Sequence, residues 1–376
     1  MTPPTPTPPP SPAQPPSSRT PDAWTRALHA SITASLTRLA PLIAARRTDA
    51  FRLLSSAIDA PRGIDLDIYA HAAVMNVHED AAPRDADHAS LARTALDSLA
   101  PLNIRAVYLK PFARDRSRMG GQLPAAVTDP TPAAGEPIAE ALTIRELDWS
   151  LEVRLYDGLS TGLFLDQRDN RAFVRQWCAA RAGEPNAPTI SVLNTFAYTC
   201  AFSIAAATAG ALTTSVDVSG RYLDWGKRNF ALNAIDLAPH RFAKMDTFEF
   251  IAYAQRKNLR YDLIILDPPS FGSGSKKRGH KPWSSLEGFP RLIRESASLL
   301  NPRGVIFAST NTRELCQSDR LRREVFSALR QEPRWLTLPP APPDFQRDRG
   351  RFAACAFELP SPLRSPTNYS QQHRPR

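Results

Sequence analysis

The fold turns on Tyr261–Phe271, "YDLIILDPPSF". A continuous apolar run that stops at an acid and two prolines is the pattern of a short strand buried on both faces. Proline fixes φ and carries no N–H, so such a strand ends in a stiff turn. Runs of the same kind lie on either side: "TISVLN" (189–194), "TTSVDVS" (213–219), "RFAKMD" (241–246) and "GVIFAST" (304–310). Segments with helical spacing follow them, among them "RYLDWGKRNFALNAI" (221–235) and "TFEFIAYAQRKN" (247–258), and "RWLTL" (334–338) and "FAACAFEL" (352–359) close the series. Strand and helix in alternation predict an α/β domain over residues 159–359, a Rossmann-like, doubly wound, mostly parallel seven-stranded sheet.

Upstream the pattern differs. Residues 1–22 are a Pro/Ser/Thr tract that cannot bury a core and predict a disordered Pro-rich arm. Residues 23–60 read as a helical segment with Leu36, Leu39, Ile43 and Ala44 on one stripe. Over 61–158 the period changes to two. In "GIDLDIY" (63–69) Ile64, Leu66 and Ile68 alternate with Asp65, Asp67 and Tyr69, a half-buried strand. "NIRAVYL" (103–109) predicts another strand and "ALTIRELDWSLEVRLY" (141–156) a hairpin, with a helix near 84–100 and a Pro/Gly loop near 119–138. The sum is a small β-rich α+β module before the main domain. Residues 360–376 read as a disordered basic tail.

A chain of 376 residues has room for two domains plus tails. With 42% hydrophobic and 22% charged residues and a mean hydropathy of −0.33, it reads as a soluble globular protein. No apolar stretch approaches the roughly 20 residues of a membrane span, and the N-terminus has no apolar signal core. Cys178, Cys200, Cys316 and Cys355 form no CxxC pair, which argues against a zinc site or a disulfide framework. The expectation is a cytoplasmic protein with no metal and no membrane partner, for which a homodimer is an open assembly. A net charge of +10 and a pI of about 9.7 suit a polyanionic partner.

In doubly wound sheets ligands bind beyond the carboxyl ends of the strands. Asn194 ends the first strand and leads into "NTFAYTCAF"; Asp217 closes the second strand 23 residues later. A carboxylate there can accept bonds from both ribose hydroxyls of an adenosine ligand. Asp246 ends the third strand, where it could take an adenine amino group, and Asp267 ends the fourth. The plainer alternative is that these acids only cap the helices that follow. The loop has no glycine from Asn194 to Phe202, which counts against a pyrophosphate cradle. A nucleoside with an amino-acid arm, such as S-adenosyl-L-methionine, needs no phosphate site.

"NTFAYTCAFS", "SVDVS", "LDPPSF" and "TGLFLDQRDNR" together resemble the class I methyltransferases of bacterial large-subunit ribosomal RNA, and most of all the 23S rRNA cytosine-C5 group. "TDAFRLLSSAIDAPRGIDLDIYAH" is similar to that family's entry into its central β-rich domain, so the likeness covers about residues 47–359. The resemblance implies that Asn194, Phe196, Tyr198 and Thr199 line the methionine side of the cofactor. It implies Asp217 at the ribose, Asp246 at the adenine, and Asp166, Gln167 and Arg168 over the same pocket. The plain reading of Asp166–Arg171 is a helix start with a good cap before Phe173, Val174 and Trp177, and both readings can hold. RNA, most naturally large-subunit ribosomal RNA, is the implied partner.

Methyl transfer needs a nucleophile about 3–3.5 Å from the methyl carbon and in line with it. A stiff Asp267-Pro268-Pro269 turn suits that task, with Asp267 and the Pro268 carbonyl gripping an amine or ring edge. Phe271 is placed to stack on an extruded base, or else to pack in the core. The loop that follows carries Lys276, Lys277, Arg278 and Lys281 with no acid among them, as a phosphate-following tether would. A second basic run, Arg105, Lys110, Arg114, Arg116 and Arg118 with Tyr108 and Phe112, suits the same partner or is a solvated strand edge. Cytosine-C5 chemistry needs a cysteine thiolate, yet "FASTNTREL" puts Thr310 and Asn311 where it is sought. Cys316, further on, reads as helical. Cys200 replaces an expected glycine and would narrow the pocket. The alternatives are a non-catalytic RNA-binding or ribosome-assembly factor that kept the fold, and a small-molecule or protein methyltransferase.

Overall fold

The computed structural model describes residues 23–82, 87–112, 124–272, 283–317, 319–348 and 350–360. The Pro-rich arm and all but the first residue of the basic tail lie outside the described residues.

The chain begins with α1 (Ala23–Arg38) and α2 (Ala40–Ala45), then enters strand β1 (Ala50–Leu54). The helical reading of residues 23–60 is corrected here. Ala50, Phe51, Leu53 and Leu54 are buried, and β1 pairs antiparallel with β2 (Ile64–Tyr69). β3 (Ala72–His78) follows by a tight turn, and α3 (His88–Ser98), capped by the Asp87 carboxylate on Ala89 N at 3.0 Å, returns the chain to β4 (Ala106–Phe112), parallel to β3. β5 (Ala134–Gly135) completes a sheet of order β1-β2-β3-β4-β5. Leu28 and Ile32 of α1 and Leu91 of α3 pack on one face of it, against Leu53, Leu66, Met75 and Val107.

Its other face meets the predicted hairpin, β6 (Leu142–Glu146) and β7 (Trp149–Val153). Tyr69, Val74 and Tyr108 share one core with Ile144, Trp149 and Leu151, and that core runs on into Ile204, Leu223 and Phe230 of the following domain. Asp65 and Asp67, expected to face water, are buried. Arg52 holds Asp67 through two bonds of 2.8 and 3.0 Å, and His78 and the Ser56 amide hold Asp65 at 2.8 and 2.7 Å. A segment from near the C-terminus covers this face: Asp344 accepts from Arg52 N at 3.0 Å, and Ser55 Oγ bonds Asp348.

The main domain runs α4 (Arg168–Ala182), β8 (Ser191–Thr195), α5 (Ala201–Ala207), β9 (Leu212–Asp217), α6 (Gly220–Leu232), β10 (Arg241–Lys244), α7 (Thr247–Arg256) and β11 (Tyr261–Leu266). A short ladder, β12 (Phe271–Gly272) with β13 (Trp283–Ser284), precedes α8 (Ser285–Ala297), β14 (Leu300–Thr310), α9 (Arg320–Leu329), β15 (Arg334–Leu336) and β16 (Ala353–Glu358). The seven strands lie in the order β10-β9-β8-β11-β14-β16-β15, all parallel except β16, which runs antiparallel to both neighbours. This is the predicted fold. The strand order reverses between β8 and β11, which places the ligand crevice at their carboxyl ends. No helix among the described residues is long and apolar enough to cross a membrane.

Candidate active site

Register fixes the neighbours at that crevice. Leu266 pairs with Thr195 on one side and Ala308 on the other. One residue further along, Asp267 and Phe196 leave the sheet beside Ser309, which still pairs with Ala354 of β16. Asp267 Oδ1 accepts from Ser309 Oγ at 2.6 Å and from Gln167 Nε2 at 3.2 Å. Gln167 Nε2 also donates to Ser309 Oγ at 3.1 Å, and Gln167 Oε1 accepts from Asn170 Nδ2 at 2.9 Å. Burial pushes the Asp267 carboxyl up to about 6; the Ser309 bond opposes that rise and the nearby Asp166 charge adds to it. At neutral pH such a group is mostly ionised yet close to the range where protons are exchanged.

The turn after Asp267 is fastened from below. The Pro269 carbonyl accepts from Ser285 Oγ at 2.7 Å and Trp283 Nε1 at 2.9 Å. Ser270 Oγ donates to Asn311 Oδ1 at 2.6 Å. The Pro269 carbonyl is therefore taken, and the acceptor left for a ligand is that of Pro268. Phe271 is 77% exposed, which removes the core-packing alternative. Lys276, Lys277, Arg278 and Lys281 lie outside the described residues; the loop that carries them leaves the β12–β13 ladder, where Gly272 pairs with Trp283.

The loop after β8 does without glycine by placing Phe196, Tyr198 and Cys200 at φ of 53°, 50° and 64°, in the left-handed region. Three features hold it there. Thr199 Oγ1 donates to the Gly162 carbonyl at 2.6 Å, Asn229 Nδ2 donates to the Thr199 carbonyl at 2.9 Å, and the Tyr198 ring lies 4.5 Å from that of Tyr222, edge-on. Cys200 does not narrow the crevice: its Sγ packs against Gly226 of α6, where an added Cβ would meet that sulfur at 2.4 Å. The crevice is lined by Gln167, Asn194, Phe196, Tyr198, Thr199 and Asp267.

Asp217 stands beside it, with Oδ2 on Tyr198 N at 2.9 Å and Oδ1 on Ser219 N at 2.8 Å. Burial raises its carboxyl above the usual range despite these two N–H donors. Val218, next in the chain, is 56% exposed, an apolar surface beside the acid that sequence reading passed over. Asp246 does act as a cap: Oδ1 accepts from Phe248 N at 2.8 Å and Glu249 N at 3.3 Å.

Several expected members lie elsewhere. Arg168 is buried and pairs with Asp344, with a further bond to the Ala50 carbonyl at 3.3 Å, so it ties the domain to β1 rather than reaching the crevice. Asp166 does not cap α4; its N-cap is Gln167, whose side chain makes no capping bond. Lys110 is 1% exposed, its Nζ held by the carbonyls of Gly158 at 2.7 Å and Leu159 at 3.2 Å, and Tyr108 is buried too, so neither belongs to an outer basic face. Arg114, Arg116 and Arg118 lie outside the described residues. Cys316 is in the turn between β14 and α9, not in a helix. Its Sγ contacts the Thr310 carbonyl at 3.4 Å, and burial pushes the thiol up to about 11, the wrong direction for a nucleophile. Ser309, Asn170 and Trp283 are the members that sequence reading missed; aligning "FAST" with "ILDP" as neighbouring strands would have found Ser309.

A crevice at the switch point, with strand-end acids on either side and no glycine-rich phosphate cradle, points to a class. Residues 128–347, more than half of the chain, match the S-adenosylmethionine-dependent methyltransferase family, and the chain belongs to it; S-adenosylmethionine is its cofactor. YwbD of Bacillus subtilis, named as a candidate ribosomal RNA large subunit methyltransferase, is 35% identical over 274 residues, 73% of this chain and 63% of that protein. Ribosomal RNA large subunit methyltransferase K of Neisseria meningitidis is 37% identical over 175 residues, 44% of each chain. The K/L enzyme of Legionella pneumophila is 41% identical over 176 residues, 47% of this chain and 23% of the relative. The chain thus spans less than two thirds of these relatives. Among solved structures, a candidate methyltransferase complexed with SAH shares 26% identity at a TM-score of 0.72, covering 91% of this chain and 83% of that one. A candidate SAM-dependent methyltransferase from Streptococcus mutans gives a TM-score of 0.70 at 26% identity over the same shares.

Proposed function

We propose that the protein methylates RNA, in particular large-subunit ribosomal RNA, on a base extruded into the Asp267-Pro268-Pro269 turn. The observation that carries this reading is the half-buried Asp267 carboxylate, fixed by Ser309 and Gln167 at the floor of the cofactor crevice, beside a Pro268 carbonyl and an exposed Phe271. The residues present fit the cofactor. Asp217, already oriented by two backbone amides, keeps lone pairs for the ribose hydroxyls. Asn194, Phe196, Tyr198 and Thr199 would take the amino-acid arm, and Asp246 with Val218 the adenine. When bound, the cofactor supplies an electrophilic methyl group. The chain's part is to hold the acceptor by its amino edge, keep it in line, and present a carboxylate able to take the released proton.

A nitrogen acceptor suits this site better than C5 of cytosine, since burial raises the Cys316 thiol and its Sγ is turned to the Thr310 carbonyl. Lys276, Lys277, Arg278 and Lys281 are assigned to phosphate contacts, and residues 61–158 to holding RNA across the crevice. The names of the relatives support ribosomal RNA as substrate, and with it a cytoplasmic site of action, as a monomer or a homodimer. The test is purified protein with methyl-labelled S-adenosylmethionine and ribosomal RNA lacking its modifications, digested to nucleosides for mass spectrometry. A labelled N-methyl nucleoside is expected. Labelled 5-methylcytidine would sink the nitrogen assignment, and absence of label despite salt-dependent binding would favour a non-catalytic RNA-binding factor.

A further inference from the structure

The joint between the N-terminal module and the seven-stranded sheet holds two cavities, of about 420 and 290 Å³. The larger falls within the range of small-molecule pockets, roughly 300–1,000 Å³, and the smaller lies at its lower edge. Arg52, Asp166 and Phe345 line both. The larger includes Asn311, which is tied to the Asp-Pro-Pro turn through Ser270. The smaller includes Leu163 and Phe164, which also border the crevice that holds Asp267. Both cavities therefore adjoin the methyl-transfer site, yet neither is lined by Asp217 or Asp246, the acids assigned to the cofactor.

Two carboxylates at this joint keep an oxygen without a protein donor among the described residues: Asp348, whose Oδ2 is unpartnered in the larger cavity, and Asp166, which lines both. Gln167, its neighbour, bonds Asp267, so Asp166 is fixed one residue from the reacting centre. Its carboxylate accepts a bond from its own backbone amide and lies in the field of Arg52 and Arg171. Arg52 is engaged by Asp67, and its guanidinium lies 5.1 Å from the centroid of the Phe345 ring, which holds that ring in place. A free acceptor beside a fixed aromatic face, within a cavity of this size, matches what a nucleobase presents: a flat ring with hydrogen-bond donors on one edge.

We propose that these joint cavities seat the nucleotide that flanks the target in the RNA chain, with Phe345 against its base and Asp166 accepting a hydrogen bond from its amino edge. The inference rests on the RNA-base reading above. It makes Asp166 a specificity-determining residue rather than a cofactor ligand. Adenine, cytosine and guanine carry an amino donor. Uracil offers one N–H flanked by two carbonyl oxygens, which a carboxylate repels. The flanking base is therefore amino-bearing, and uridine is disfavoured there.

The test titrates CMP, AMP, GMP and UMP, at millimolar concentrations, into the full chain with S-adenosylhomocysteine bound, for the wild type and for Asp166→Asn. Asparagine keeps the shape and exchanges one acceptor oxygen for a donor. At least one amino-bearing nucleotide is expected to bind about 5- to 150-fold tighter than UMP, the span of one base-edge contact. The variant should flatten that order while its affinity for S-adenosylhomocysteine stays unchanged. UMP binding as tightly as the others, an order that survives the substitution, no nucleotide binding, or a parallel loss of S-adenosylhomocysteine affinity each overturns the assignment. Failure of the RNA reading shows separately, as wild-type protein that labels no ribosomal RNA while the nucleotide order still reports on the cavities.

Discussion

Replacing Asp267 by asparagine should make the protein more stable at pH 8 and inactive. Burial raises this carboxyl from 3.8 to about 6. The unfolded chain therefore ionises it more readily than the folded one does. At pH below 3.8 both states are protonated and the acid does no harm. As pH rises through 6, the folded state must carry a charge that the unfolded state carries more comfortably. At 1.36 kcal/mol per pH unit the difference levels off at about 3 kcal/mol. Asparagine avoids that ionisation and keeps an acceptor oxygen for Ser309 and Gln167. One kcal/mol moves the midpoint of a domain this large by roughly 2–4 °C. Asp267→Asn should then melt roughly 6–12 °C higher than the wild type at pH 8, with the gap closing toward pH 4. Thermal unfolding across that range, alongside methyl transfer at each pH, measures both halves. A gain that does not change between pH 4 and pH 8, or no gain at all, would show that Asp267 is not the desolvated acid described here. Wild-type turnover, for its part, should rise as pH climbs through about 6 and the carboxylate forms.

The contact between Cys200 and Gly226 predicts that Gly226→Ala costs about 1–3 kcal/mol, because its Cβ would lie 2.4 Å from Sγ and 2.9 Å from the cysteine Cβ. Adding Cys200→Gly opens that space, and φ of 64° suits glycine; if the two changes proved additive in thermal melts, the contact would be refuted. Phe271→Ala should leave the melting point within about 0.5 kcal/mol of wild type, since the ring is exposed. Loss of one base stack, about 1–3 kcal/mol, should cut turnover on RNA by roughly 5- to 150-fold; unchanged turnover would remove Phe271 from the substrate site.

The main domain was legible because its information is local. Strands such as "YDLIILD" are apolar on both faces, and parallel order puts their ends along one edge, so Asp217, Asp246 and Asp267 could be read as a set. The N-terminal module was less legible because distant chain completes it. Asp65 and Asp67 alternate with apolar residues as solvent-facing acids do, yet they are buried with Arg52 under a segment that begins near Asp344. Arg168 sits beside Gln167 in sequence, but its partner Asp344 lies 176 residues away and turns it from the crevice. In Ala50–Leu54 apolar residues suit either period, and only pairing with β2 decides for a strand. Lys110 carried the right charge for RNA, but its neighbours Val107 and Tyr108 already marked a strand with an inner face.

The bond from the Arg52 amide to Asp344 joins residues 292 positions apart, and this imposes an order on assembly. At roughly 5–20 residues per second, a ribosome delivers Asp344 on the order of 15–60 s after Arg52. Over that interval the first sheet is synthesised but lacks the acid that neutralises Arg168 and covers β1. The joint between the two parts must therefore close only after Asp344 has been translated. A product stopped short of Asp344 would carry two half-built surfaces, each waiting on the other.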